Sequence, residues 1–260
     1  MAYTPFDLTG KVSLITGGNR GIGLGMADAL AQAGSDIVIW GSNAERNAEA
    51  EEKLKAHGVR VMIQTVDVGD EDQVVAGMAQ AEAAMGRLDT VIANAGIGRG
   101  AASFHEMSTD IWRQNMRVNL DGAFWTLREA CKSMVKRARA GDPGGSLAAT
   151  ASLGALQGAA RNQAYTATKG ALIPMIKGIA VEYARYNMRA NAILPGWVAT
   201  DMTGGLQTFD KFNENVIGRV PSKRWGQPEE FGGIAVYLAS NASSFHTGDV
   251  LLIDGGYSCY

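Results

Sequence analysis

Seven short apolar runs, separated by longer stretches of helical period, limit the architecture of this chain more than any other feature. The runs are KVSLIT from Lys11, DIVIW from Asp36, VRVMIQTV from Val59, TVIAN from Thr90, SLAATAS from Ser146, RANAIL from Arg189 and VLLID from Val250. Several are apolar almost throughout, as strands are when helices cover both faces of a parallel sheet; a sheet with one wet face alternates instead. Between them, IGLGMADALAQA, AERNAEAEEKLKAH, EDQVVAGMAQAEAAM and NQAYTATKGALIPMIKGIAVEYARY read as helices. The alternation predicts an α/β fold, one doubly wound parallel sheet of about seven strands with helices on both faces, and puts any ligand outside the carboxyl ends of the strands. No linker or repeat divides residues 1–260, so a single domain is expected. The segment 195–231 breaks the alternation and reads either as a substrate lid or as a packed excursion with short helices of its own.

Composition narrows the function classes. With 260 residues, 46% of them hydrophobic and 19% charged, the chain can bury a large core. Lys and Arg number 24 against 26 Asp and Glu, with no block of like charge, so neither a nucleic-acid nor a membrane-surface partner is expected. Cys131 and Cys259 are too few for a disulfide framework and are not spaced as a metal site, which fits a reducing compartment. MAYTPFDLTG at the start lacks the features of a signal peptide, and no apolar run approaches the roughly 20 residues of a membrane span. Cytoplasm is the expected location.

Directly after the first strand candidate comes TGGNRGIGLG, Thr16 to Gly25. A Walker A loop fails here for want of Lys after Gly23, and the G-x-G-x-x-G dinucleotide fingerprint does not match as written. Gly17, Gly21 and Gly23 form G-x-x-x-G-x-G between a strand and a helix, a Rossmann-like placement. Glycines there let backbone approach a pyrophosphate that the helix N–H groups face, or serve close packing alone.

The chain resembles the short-chain dehydrogenase/reductase family over nearly its whole length. Thr16-Gly17-x-x-x-Gly21-Ile22-Gly23 is similar to that family's cofactor loop, and Asn94-Ala95-Gly96 to its Asn-Ala-Gly motif. Asn119 in RVNLDGAF, Ser152 in TASLG, and Tyr165 with Lys169 in YTATK follow the order and spacing of its catalytic tetrad. Pro195-Gly196, with Val198 and Thr200 behind it, resembles the segment that closes over the nicotinamide.

The resemblance implies hydride transfer between a nicotinamide and a secondary alcohol or ketone, with Tyr165 as general acid/base. Ser152 would orient the substrate oxygen. Lys169 would lower the Tyr165 pKa and bond the nicotinamide ribose, and Asn119 would hold a water in a proton relay. Each has a structural alternative: a turn cap for Ser152, an interfacial Tyr beside a solvated Lys, and an Asn bonded to backbone at a helix kink. Tyr165 and Lys169 stand four apart, on one helix face. Moving a phenol from about 10 to about 7 takes roughly 4 kcal/mol. One ammonium at about 4 Å supplies about that much at an effective dielectric near 20.

An acid at the end of the second strand would bond a ribose 2′-OH and repel a 2′-phosphate. Gly41 stands there, Ser42 and Asn43 can donate hydrogen bonds, and Arg20 resembles the basic residue of NADP-preferring members. NADP is therefore the expected cofactor, with NAD open because Ser42 stands where an Arg is often found. Asn19 completes the loop side of the expected site. Asp67-Val68 resembles the family's adenine-binding pair; a helix cap is the alternative for Asp67.

Substrate contacts are expected from Ser152, Leu153, Asn162, Tyr165 and Trp197, with Leu156, Gln157 and Gln163 nearby and Arg99 and Arg161 as anion contacts. A modest neutral or weakly acidic alcohol or ketone fits, including sugar-like compounds. A 3-oxoacyl-carrier-protein reductase is the alternative enzyme. It is disfavoured by Tyr186 at a position often basic in those enzymes, although Arg137 and Arg139 could serve the carrier. A catalytically silent cofactor-binding sensor would need a broken tetrad. The resemblance further implies a homotetramer.

Overall fold

The computed structural model describes residues 4–259. All seven predicted strands are present: β1 (Val12–Thr16), β2 (Asp36–Gly41), β3 (Val61–Thr65), β4 (Thr90–Ala93), β5 (Gly145–Thr150), β6 (Met188–Pro195) and β7 (Val250–Ile253). They form one sheet in the order β3-β2-β1-β4-β5-β6-β7, parallel throughout. The chain winds outward from β1 to β3, then returns to lay β4 on the other side of β1. The crevice of such a sheet opens where the winding reverses, between the carboxyl ends of β1 and β4.

Helices α1 (Gly21–Gln32), α2 (Ala44–Lys55) and α3 (Glu71–Met85) follow the first three strands, and α4 (Thr109–Asn115) leads through a π-helical turn, Met116–Asp121, into α5 (Gly122–Arg139). α6 (Gln163–Tyr183) joins β5 to β6, and α7 (Gly204–Gln207), α8 (Asp210–Asn215) and α9 (Gly232–Ala239) precede β7. Side chains cap three of them: Asn43 accepts from Arg46 N–H at α2, Asp70 from Gln73 N–H at α3, and Ser108 from Ile111 N–H at α4. At α1 the capping position is Arg20, which makes no such bond.

Both sheet faces are covered, which explains the unbroken apolar runs. One face packs Val74, Met78, Leu127, Met134, Leu172 and Ile176 from α3, α5 and α6; the other packs Met26, Leu30, Leu54, Ala235 and Leu238 from α1, α2 and α9. Each fully buried aliphatic chain contributes about 1.5–3 kcal/mol.

The segment 195–231 carries the short helices α7 and α8 and packs on a small core. Leu153, Ile217, Val220 and Tyr257 form a small core of their own, ringed by Trp197, Phe212, Val216 and Trp225. A bridge between Val198 and Gly226 closes its base. Among the described residues no helix is long and apolar enough to cross a membrane.

Candidate active site

A cavity of about 1520 Å³ lies at the carboxyl ends of the central strands and is roofed by residues 195–206. Every residue expected to hold the cofactor lines it, as do Leu153, Gln157, Asn162, Trp197 and Arg99 of the expected substrate contacts and three of the expected tetrad, Ser152, Tyr165 and Lys169; Arg161, Leu156 and Gln163 do not. Asn119 stands just behind the wall.

The glycine loop is shaped by close approach. Gly17 and Gly21 have φ of +64° and +49°, a left-handed backbone that side chains disfavour. A Cβ on Gly23 would stand 2.2 Å from Gly17 O and 2.5 Å from Asn94 Nδ2, so any side chain there would lift α1 away. The N-terminus of α1, free of a side-chain cap, faces the cavity with its N–H groups, as a pyrophosphate site requires. The Asn-Ala-Gly stretch braces the opposite wall: Asn94 N–H and Ala95 N–H both donate to Thr16 Oγ1 at 2.9 Å, and Asn94 Nδ2 donates to Thr16 O at 3.0 Å.

At the end of β2 the missing acid has a physical reason. Asn19 Nδ2 donates to Asn47 Oδ1 at 2.8 Å, and Asn47 donates to Gly41 O at 3.1 Å. A Cβ at position 41 would meet both asparagines at 2.2 Å, so the space of an aspartate is already filled. Asn43 turns its carbonyl to the α2 cap. Arg20, though exposed, meets Asp201 at 3.2 Å, and Arg46, which the sequence reading missed, meets the same carboxylate at 2.8 Å.

Asp67 is not a helix cap, since Asp70 takes that place at α3. It accepts from Gly69 N–H and pairs with Arg117 at 2.9 Å. Burial acts to raise its pKa, but Arg117 and the Gly69 N–H outweigh it and hold the carboxyl below its ordinary value.

Asn119 sits on the π-helical turn and is fully bonded: Oδ1 accepts from Ile97 N–H at 2.8 Å and Nδ2 donates to Ile97 O at 2.9 Å. The backbone-pairing alternative for Asn119 is thus present. Ser152, two residues past β5, caps the short turn Leu153–Ala155 by accepting from Gly154 N–H at 3.0 Å. Tyr165 and Lys169 share a face of α6, with the Lys169 Nζ 5.9 Å from the centre of the Tyr165 ring. Lys169 is buried and donates to Thr150 O at 2.6 Å; burial brings its pKa down from 10.5 to about 8. Burial pushes the Tyr165 phenol up, opposed by the Ser152 hydroxyl. The Lys169 ammonium is turned onto Thr150 O.

Four buried polar atoms have no partner among the described residues: Thr150 Oγ1, Asn162 Oδ1, Gln163 Oε1 and Trp197 Nε1. Such atoms are costly unless a ligand or water meets them. Trp225, beside Trp197, shows the contrast, since its Nε1 donates to Asn213 Oδ1 at 2.8 Å. Arg99, on the cavity rim, makes no side-chain hydrogen bond or ion pair among the described residues, whereas Arg20, Arg46 and Arg117 are all paired. Arg137, one arginine considered for an acidic carrier, is engaged by Asp142 at 3.0 Å and by the carbonyl of Gly144.

A doubly wound parallel sheet with a glycine loop at an uncapped helix start and a large cavity at its switch point is the arrangement of a dinucleotide-binding protein. A family model described as enoyl-(acyl carrier protein) reductase matches residues 17–258. Gluconate 5-dehydrogenase of Gluconobacter oxydans is 38% identical over 96% of both chains, and 2-dehydro-3-deoxy-D-gluconate 5-dehydrogenase of Pseudoalteromonas atlantica is 38% identical over 97% of both. A crystal structure of a gluconate 5-dehydrogenase from Burkholderia cenocepacia, in complex with NADP and tartrate, superposes with a TM-score of 0.92 at 36% identity over 98% of each chain. The chain belongs to the short-chain dehydrogenase/reductase family. It is an NAD(P)-dependent oxidoreductase acting on CH–OH groups.

Proposed function

We propose that the protein interconverts a secondary alcohol and a ketone on a sugar acid or similar polyhydroxy acid, using NADP. Arg99 carries the substrate reading: it is a cavity guanidinium without an internal anion, suited to a carboxylate. Trp197 Nε1 and Asn162 Oδ1, a buried donor and a buried acceptor, suit hydroxyl groups along the same substrate. The relatives named as gluconate and deoxygluconate dehydrogenases support this chemistry. NADP is supported by Gly41, Arg20 and the NADP named in the related structure.

In the oxidative direction the Tyr165 phenolate takes the proton of the substrate hydroxyl while Ser152 donates a hydrogen bond to the same oxygen. A bound oxidised nicotinamide would supply the hydride acceptor for the carbinol carbon and a positive charge beside the phenol. Lys169, mostly protonated below about pH 8, stands on the same helix face with its Nζ 5.9 Å from the Tyr165 ring centre and supports the phenolate. A phenol needs roughly 4 kcal/mol to fall from about 10 to about 7, and the positive charge of an oxidised nicotinamide would contribute to it. Asn119 holds the Ile97 backbone against the cavity wall. The segment 195–231 closes the substrate end. Residues 1–260 act as one domain in a cytoplasmic homotetramer, a reading supported by exposed Phe124, Val181 and Leu252 on α5, α6 and β7.

Initial rates with gluconate, 5-ketogluconate, simple ketones and an acetoacetyl thioester test the reading. Sugar acids should lead, and Arg99→Ala should raise their KM about tenfold while leaving neutral ketones unchanged. A thioester turned over faster than the sugar acids would favour the carrier-protein reductase.

A further inference from the structure

We propose that Arg46 selects the cofactor together with Arg20 by holding its 2′-phosphate, and that Asp201 is the internal anion which this phosphate displaces. The inference rests on the NADP reading and goes beyond it, since that reading used Arg20 and the missing acid alone. Nη1 of Arg20 and Nη1 of Arg46 converge on one oxygen, Asp201 Oδ2, at 3.2 and 2.8 Å. The two arginines come from the glycine loop and the first turn of α2, while Asp201 opens the turn Asp201–Thr203 beyond β6. Two guanidinium groups aimed at a single anionic point form a phosphate site, with planar donors and two positive charges.

All three side chains line the cavity near the end of β2, where the adenosine ribose lies in sheets of this class. Asn43 caps α2 through Arg46 N–H and so sets Arg46 in its first turn, beside Ser42. A phosphate monoester brings a charge of about −1.5 to −2 and three acceptor oxygens, against one charge and two oxygens for a carboxylate. The exchange therefore favours phosphate. It also costs little, because the bridge is exposed, with the side chains of Arg20 at 55% and Asp201 at 59%, and exposed pairs are weak. The bridge ties the roof to the glycine loop, where Thr200 also stands 3.3 Å from the Cβ position of Gly21. Displacing Asp201 thereby couples the 2′-phosphate to the segment 195–231.

Calorimetric titration of NADPH, NADH and 2′,5′-ADP into the wild type, Arg46→Ala and Asp201→Ala tests this. Arg46→Ala should weaken NADPH and 2′,5′-ADP about tenfold or more and leave NADH within about twofold. Asp201→Ala should tighten NADPH and 2′,5′-ADP several-fold without changing NADH. Arg46→Gln repeats the first arm if the alanine variant does not fold. Loss of both cofactors alike, no loss, or an Asp201→Ala protein that binds NADPH no more tightly would overturn the proposal while leaving a wild-type NADPH preference intact. A wild type that binds NADH as tightly as NADPH sinks the cofactor reading itself, and this inference with it.

Discussion

On the floor of the cavity, Asn119 is bonded twice to the Ile97 backbone, Lys169 is buried against Thr150 O, and Asn94 clips β4 to β1. The roof over it hangs on an aromatic cluster around Trp197 and on ion pairs at the surface, Arg20 and Arg46 to Asp201 and Arg224 to Glu230. Buried bonds to backbone are expensive to break, because the partner left behind has no water to turn to. Exposed ion pairs exchange partners cheaply. The floor is therefore held by contacts that are hard to exchange, and the roof in part by contacts that are easy to exchange.

The strongest way to break this contrast is chemical. If the proposed role of Tyr165 holds, Tyr165→Phe should lower turnover by about 10² to 10⁴ and leave cofactor affinity unchanged, since it removes only the hydroxyl proposed to transfer the proton. Normal steady-state rates in that variant would remove Tyr165 from the chemistry.

Asn119→Ala should destabilise the fold by about 2–5 kcal/mol, read from urea unfolding, because the Ile97 N–H and C=O both lose a buried partner. A change below 1 kcal/mol, the usual range for exposed positions, would show that the floor is no stiffer than the roof.

Lys169 sharpens the comparison through pH. Its folded pKa, about 8, lies below the unfolded value of 10.5, so the unfolded chain binds more protons between them. Its burial therefore costs stability in full below about pH 8, and the cost fades as pH rises towards 10.5. Stability of the wild type relative to Lys169→Met should climb across that window, by about 3 kcal/mol at most. A flat difference in melts would contradict the burial of a charged lysine.

The smallest effect belongs to the roof. The Arg224 guanidinium, then the Gln227 N–H, hold the Glu230 carboxyl down at about 2, below its ordinary 4.5. Its contribution is present above about pH 4.5 and lost as pH falls towards 2. Exposure discounts it, with the Glu230 side chain 40% accessible, so Arg224→Gln should shift stability at neutral pH only slightly. A larger loss in thermal unfolding would mean that the roof is as rigidly held as the floor.

Much of this organisation was legible in advance. The central strands, buried on both faces, run apolar and so could be found without a partner in view, while the edge strands β3 and β7 are only partly buried. Tyr165 and Lys169 meet because four residues make about one helical turn. Arg46 escaped notice, since its place depends on a carboxylate from the far side of the sheet. So did the unpartnered Trp197 Nε1, which differs from that of Trp225 only in what surrounds it.

Residue type and periodicity thus determined the sheet, its helical layers and the glycine turn, because those obey local rules of backbone sterics and burial that act within a few neighbours. Tertiary structure alone decided that asparagines from the glycine loop and α2 fill the space above Gly41, that Lys169 faces Thr150 O, and that Arg20 and Arg46 close on Asp201. Those contacts join residues as many as 181 positions apart, and only the packing of the strands and helices between them brings such charges within reach.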